Sequence, residues 1–191
     1  MIKNLFKCTG VARLAGSQAC FNTSLRRSAF ISPMISAHFR RFNSNNYKLN
    51  TDSRVVNYTT EGPRFVKFTE EHEWLAAHSD DTVFIGITRY ASEALGDATY
   101  VELPELGAKV EVGESIGSVE SVKSASEIYS PASGEIFAVN GFLESNPQAI
   151  NDDPMGEAWI AQIKLNESFE TLQDQEGLMS ESEYEKFLQE D

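Results

Sequence analysis

GSVESVKSASEIYSPASGEI, residues 117–136, holds one lysine, Lys123, among small and β-branched residues. No other base occurs between Lys109 and Lys164. The stretch reads as strand, turn, strand. SIGSVESV (115–122) and SEIYS (126–130) are short runs with β-branched and aromatic residues, and Pro131 ends the second. Lys123 falls in the connection, beside the compact residues Ser121, Val122, Ser124 and Ala125. Most lysines are solubilising surface groups, and one at a hairpin tip keeps a turn wet. This one also stands where a rigid turn would offer its amine to another protein's active site.

Working outward, the same grammar repeats. RFVKFT (64–69), EWLAA (73–77), TVFIGIT (82–88), ATYVEL (98–103), AKVEV (108–112), GEIFAVN (134–140) and AWIAQIKL (158–165) are strand candidates. Gly, Pro and Asp punctuate most of them. Between the third and fourth, Thr88 is placed to cap a short helix with Ala91, Ala94 and Leu95 on one face, and Gly96 to end it. Residues 145–156 read as a Pro/Asn/Asp-rich loop. Near the C-terminus Ser180 and Glu183 have capping-box spacing, and Tyr184, Phe187 and Leu188 form an apolar stripe on a helix that would dock on the core. Many short strands with frequent turns predict a mainly β barrel or sandwich with peripheral helices. Periodicity does not choose between topologies.

Charge divides the chain in two. Of 16 bases and 29 acids, residues 1–50 hold eight bases and no acid, leaving eight bases against all 29 acids in the remainder. The basic, Ser- and Asn-rich start reads as a mitochondrial transit peptide over residues 1–46, with cleavage after Arg40–Arg41. A basic arm for nucleic acid fits less well, because the acidic remainder repels phosphate. No apolar run has the length of a secretory core or a membrane span. Residues 47–62 are expected as a flexible linker, and 63–191 as the folded domain.

The processed chain has little catalytic material. Cys8 and Cys20 are the only cysteines, and both lie in the segment expected to be removed. His38 lies there too, leaving His72 and His78. Disulfides, a cysteine nucleophile, a cysteine-based metal site and a hydrolytic triad are all disfavoured. A Schiff-base role for Lys123 needs burial or neighbouring cations, and its charged neighbours are Glu120 and Glu127. Redox chemistry would have to arrive on an attached group.

At this point the residues resemble a family. ESVKSASEIYSPASGEI (120–136) resembles the lipoyl-attachment region of glycine cleavage system H proteins. FTEEHEW (68–74), GITRYASEALGDATYVELPELG (86–107) and NPQAINDDPMGEAWIAQIKL (146–165) resemble the same family in the same order. The resemblance implies a barrel-sandwich hybrid of lipoyl/biotinyl-carrier type over 63–191, with short peripheral helices and a C-terminal helix. It implies that Lys123 carries lipoate as an amide, and that Glu120 and Gly134 are read by lipoate-attaching enzymes. Glu73 and His72 become candidates for the cleft that receives the loaded arm; HEW (72–74) also fits a strand with one buried Trp74 and two surface polar residues. Ser124 departs from the family's usual Ala.

The function so implied is that of a non-catalytic carrier in the mitochondrial matrix. It would shuttle the aminomethyl group of glycine from the pyridoxal-phosphate-dependent glycine decarboxylase (P protein) to the folate-dependent aminomethyltransferase (T protein). Dihydrolipoyl dehydrogenase (L protein) would reoxidise the arm. The alternative is a lipoyl carrier or lipoate relay for 2-oxo-acid dehydrogenases, although the Pro/Ala linkers and acyltransferase chains usual there are missing from this sequence. A biotinyl carrier normally flanks its lysine with methionines, where this chain has Val122 and Ser124.

Overall fold

The computed structural model describes residues 47–190, so the expected transit peptide lies outside the described residues. A short helix, α1 (Arg54–Asn57), precedes strands β1 (Phe65–Phe68), β2 (Glu73–Ala77) and β3 (Thr82–Ile87). Helix α2 (Arg89–Leu95) leads to β4 (Ala98–Glu102), β5 (Lys109–Val110), β6 (Ser115–Ser121), β7 (Ala125–Tyr129) and β8 (Gly134–Val139). Helices α3 (Phe142–Ser145) and α4 (Ala149–Asp152) come before β9 (Ala161–Leu165), and α5 (Phe169–Gln173) and α6 (Glu181–Glu190) follow it. The expected strands form, with ends shifted by up to three residues.

All strand pairs are antiparallel and build two sheets, β1-β2-β3-β9-β8-β5 and β4-β6-β7. Between them lies one core, drawn from Leu75, Val83, Ile85, Ile136 and Ile163 of the larger sheet and Val101, Val119 and Ile128 of the smaller. The larger sheet is covered on its other face as well. There Trp74, Ala76 and Phe84, which alternate with the first set along β2 and β3, pack with Phe68, Met155, Trp159 and Tyr184. Burial on both faces explains why EWLAA and TVFIGI show no hydrophobic alternation. Trp74 donates its indole N–H to the Pro154 carbonyl at 3.0 Å. Its ring lies against Gly86, directly opposite in β3, where any Cβ would stand 2.7 Å from the indole.

The helix signals are realised locally. Thr88 Oγ1 accepts the Ala91 N–H at the start of α2, and Gly96 ends it at φ 81°. At α6, the Glu183 carboxylate accepts the Ser180 N–H at 2.7 Å, which is the reach-back half of a capping box. The Ser180 hydroxyl donates to that same carboxylate instead of capping the helix backbone. The stripe docks through Tyr184, which is fully buried and stacked on Phe68 with ring centroids 4.8 Å apart.

Two expectations need correcting. Residues 47–62 are no linker but part of the domain. Val55 is fully buried, Tyr47 sets its ring edge-on to Tyr184 at 5.3 Å, and Asn50 donates to Asp153 at 2.7 Å. Those partners, one an aromatic ring and one a carboxylate, lie far along the chain, where no pattern within 47–62 reveals them. The expected loop at 145–156 contains helix α4, whose Ile150 is buried in the core. Among the described residues no helix is long and apolar enough to cross a membrane.

Candidate functional site

Strands β6 and β7 are joined by the turn Ser121–Val122–Lys123–Ser124. The Ser121 N–H donates to the Ser124 carbonyl at 2.8 Å. The Ser121 hydroxyl accepts the N–H groups of Lys123 and Ser124, each at 3.1 Å, and donates to the Ser124 carbonyl at 3.1 Å. Val122, expected as the end of a strand, is instead at the tip and 86% exposed. Lys123 is exposed and forms no ion pair among the described residues. Its amine is neither buried nor locked to a carboxylate. Such an amine is free to be acylated by another protein.

Glu120 lies three residues before Lys123, opposite Ala125 on one side and Tyr100 on the other. It is exposed, so its carboxylate is open to a visiting protein on the same hairpin as Lys123. Gly134 is placed differently. It is buried in β8 of the six-stranded sheet, opposite Val110 and Leu165, whereas Lys123 rides on the three-stranded sheet. A Cβ at Gly134 would lie 2.2 Å from the Lys164 carbonyl oxygen and 2.5 Å from the Ile163 Cγ2. Close approach of β8 and β9 therefore gives this glycine a packing reason of its own.

Glu73 does not fit the picture of two surface polar residues in HEW. It is 2% exposed. One carboxylate oxygen accepts the Tyr129 N–H at 3.0 Å, and the other accepts the Thr69 hydroxyl. Burial pushes its pKa above the ordinary 4.5, and those two hydrogen bonds oppose the shift. The contact to Tyr129 joins β2 to the far end of the lysine-bearing hairpin, about 13 Å of strand from Ala125. His72 is half-buried in a left-handed backbone conformation, φ 69°. Its Nδ1 lies 2.8 Å from the Tyr184 hydroxyl, which is 3.0 Å from the Thr88 hydroxyl. His72 thus links the β1–β2 corner to the C-terminal helix.

The structure brings Lys123 and Glu120 together and ties Glu73 to the base of their hairpin. It sets Gly134 and His72 apart, each in contacts of its own. Sequence reasoning missed Thr69 and Tyr129 as the partners of Glu73, and no local signal marks either. Ser121 was legible only as a compact neighbour of Lys123. No group of three His, Cys, Asp or Glu side chains among the described residues could hold a metal ion.

Comparison with known proteins agrees with this geometry. Residues 66–191 match the family model described as glycine cleavage H-protein. The mitochondrial glycine cleavage system H protein of Saccharomyces cerevisiae is 51% identical over 156 residues, covering 82% of this chain and 91% of that protein. The glycine cleavage system H protein of Coprothermobacter proteolyticus is 46% identical over 123 residues, 64% of this chain and 94% of its own length. The crystal structure of a glycine cleavage system H protein from Mycobacterium marinum superposes with a TM-score of 0.56 at 38% identity, covering 64% of this chain and 94% of that one. With the family model spanning well over half the sequence, and a hairpin that presents one unpaired amine, this chain belongs to the glycine cleavage H-protein family and is a carrier component of glycine cleavage, not a catalyst.

Proposed function

We propose that Lys123 bears lipoate as an amide and that the protein carries the aminomethyl group of glycine on that arm. The route runs from the P protein to the T protein, with the L protein restoring the arm, in the mitochondrial matrix. The observation that supports this reading best is the exposed, unpaired amine of Lys123 at the tip of a hydrogen-bonded hairpin. Bound there, lipoate supplies the dithiol chemistry that residues 47–190, which contain no cysteine, do not have.

The chain's own residues would then serve presentation and shelter. Ser121 and the β6–β7 ladder hold the anchor, and Glu120 gives lipoate-attaching enzymes a carboxylate beside it. Gly134, the other residue assigned to those enzymes, acts through the scaffold by letting β8 and β9 close. Glu73 offers a carboxylate to the cargo's amine. With 2% exposure it would do so only if the Thr69–His72 corner, where His72 meets Tyr184, moved aside. Partial exclusion of water there would slow loss of the amine from the cargo.

Intact mass and peptide mapping of the chain purified from mitochondria test the anchor. The expected result is a lipoyl increment on the peptide containing Lys123, in a matrix fraction, absent in Lys123→Arg. Reconstitution with purified P, T and L proteins should then show glycine decarboxylation that depends on the modified chain. An unmodified chain that supports the same turnover would overturn the reading.

A further inference from the structure

We propose that the Ser121 hydroxyl is a positioning residue for lipoate attachment. It holds the turn in the shape in which Lys123 is recognised. The inference rests on the reading that Lys123 is the lipoylated residue.

A serine hydroxyl has one proton to donate and two lone pairs, and here all three are engaged within the turn. It accepts from Lys123 N and Ser124 N and donates to the Ser124 carbonyl, so one oxygen engages three backbone groups, on the anchor itself and on the residue after it. The Ser124 carbonyl is also held by the Ser121 N–H at 2.8 Å, but the Lys123 and Ser124 N–H groups have only the hydroxyl as partner among the described residues. Residues 122–127 are all exposed, and Val122 projects away with 86% of its surface in solvent. Without packing, the shape of the tip is set by the strand ladder and by this hydroxyl.

Removing the hydroxyl has an asymmetric consequence. The freed N–H groups are at the surface and bond to water, so the fold hardly notices. The turn, however, gains other conformations. An enzyme that accepts only one of them then sees a smaller fraction of competent substrate. Its apparent affinity falls by that fraction while its turnover, once bound, does not. The Ser124 carbonyl keeps the Ser121 N–H, so the loss counts the two hydrogen bonds that the hydroxyl accepts, and at about two- to threefold each they give about fivefold. Attachment itself forms the amide bond between Lys123 Nζ and the lipoyl carbonyl carbon. With lipoyl-adenylate as donor, the acyl–oxygen bond breaks, AMP leaves, and the ammonium gives up two protons.

The test uses the full-length chain, a purified lipoate–protein ligase and lipoyl-adenylate, comparing wild type with Ser121→Ala and Ser121→Thr. Ser121→Ala should raise KM about fivefold with kcat unchanged and Tm within about 1 °C. Its Ser124 amide should exchange faster with solvent. Ser121→Thr, which keeps the oxygen on a residue suited to strands, should return KM to within twofold. Acetylation of Lys123 by a small N-hydroxysuccinimide ester should not distinguish the variants. A Ser121→Ala chain modified as well as wild type would overturn the proposal alone, as would a loss confined to kcat or matched by a fall in Tm. A wild-type chain that the ligase leaves unmodified would overturn the proposal together with the lipoylation reading beneath it.

Discussion

Gly134 stands inside the motif that surrounds Lys123, and Gly134→Ala decides whether it serves the scaffold or enzyme recognition. The new Cβ would sit 2.2 Å from the Lys164 carbonyl oxygen, 2.5 Å from the Ile163 Cγ2 and 3.0 Å from the Lys164 carbonyl carbon. A carbon and a carbonyl oxygen normally approach no closer than about 3.3 Å. Strands β8 and β9 must therefore part by about 1 Å. The displacement falls where Gly134 pairs with Leu165 and Glu135 with Lys164, and it strains the seat of Ile163, which is fully buried. Overpacking costs about 1–3 kcal/mol. Weakening two ladder hydrogen bonds adds about 0.5–1.5 kcal/mol each. The total, about 2–6 kcal/mol, is a large share of the roughly 5–15 kcal/mol that holds a domain folded. At about 2–4 °C per kcal/mol for a domain of this size, the middle of that range lowers Tm by roughly 8–16 °C.

Circular-dichroism melts of the unmodified chain, in a Lys123→Arg background, measure this with attachment removed from the comparison. If Gly134 served recognition alone, Gly134→Ala would melt with its parent, and in the Lys123 chain would only be modified more slowly. A Tm within about 2 °C of the parent would refute the packing argument.

Two further outcomes follow from buried polar groups. Glu73 has its folded pKa raised above 4.5 by burial, so its contribution to stability is fully present below the unfolded value and is lost as pH rises through the folded one. Glu73→Gln keeps an acceptor for the Tyr129 N–H, and its Tm advantage over wild type should be smallest near pH 4 and grow toward pH 7; an advantage that shrinks with pH would show that the hydrogen bonds outweigh burial. Gln162 is 1% exposed between Phe84 and Ala138, and its amide oxygen and nitrogen have no hydrogen-bond partner among the described residues. Gln162→Met, close in shape and without those groups, should raise urea-unfolding stability by about 1–3 kcal/mol, and a loss would show that the amide is hydrogen-bonded after all.

What the sequence made legible was what is local. The Thr88 and Gly96 boundaries of α2, the Tyr184 stripe and the strand–turn–strand around Lys123 depend on residues within a few positions of one another. Each formed to within a residue or two, with Val122 moving from the expected strand end to the tip of the turn. The 47–62 segment carries no such local signal because its partners are remote: Asn50 meets Asp153 and Tyr47 meets Tyr184, more than 100 residues on. Helices α3 and α4 are single turns, too short for a helical period to register in the 11–18-residue windows where that pattern is judged. Glu73 shows the same limit at the site. A carboxylate beside a tryptophan has no sequence mark that tells a surface group from one held under a Tyr129 amide 56 residues away.

Within the motif itself, proximity in sequence joins residues that the fold separates by purpose. Lys123, Glu120 and Ser121 share one exposed hairpin and are available to other proteins. Gly117 and Gly134 belong to the same run of letters yet answer to packing: a Cβ at either would stand 2.2 Å from a carbonyl oxygen, Glu102 in one case and Lys164 in the other. Substituting the first group should change how fast partners use the protein, and substituting the second should change whether it stays folded. A motif that reads as one recognition signal is, physically, an exposed hairpin and the scaffold that stiffens it. The rigidity of that scaffold is what would let several different enzymes find a single free amine in a fixed place, as the proposed carrier role requires.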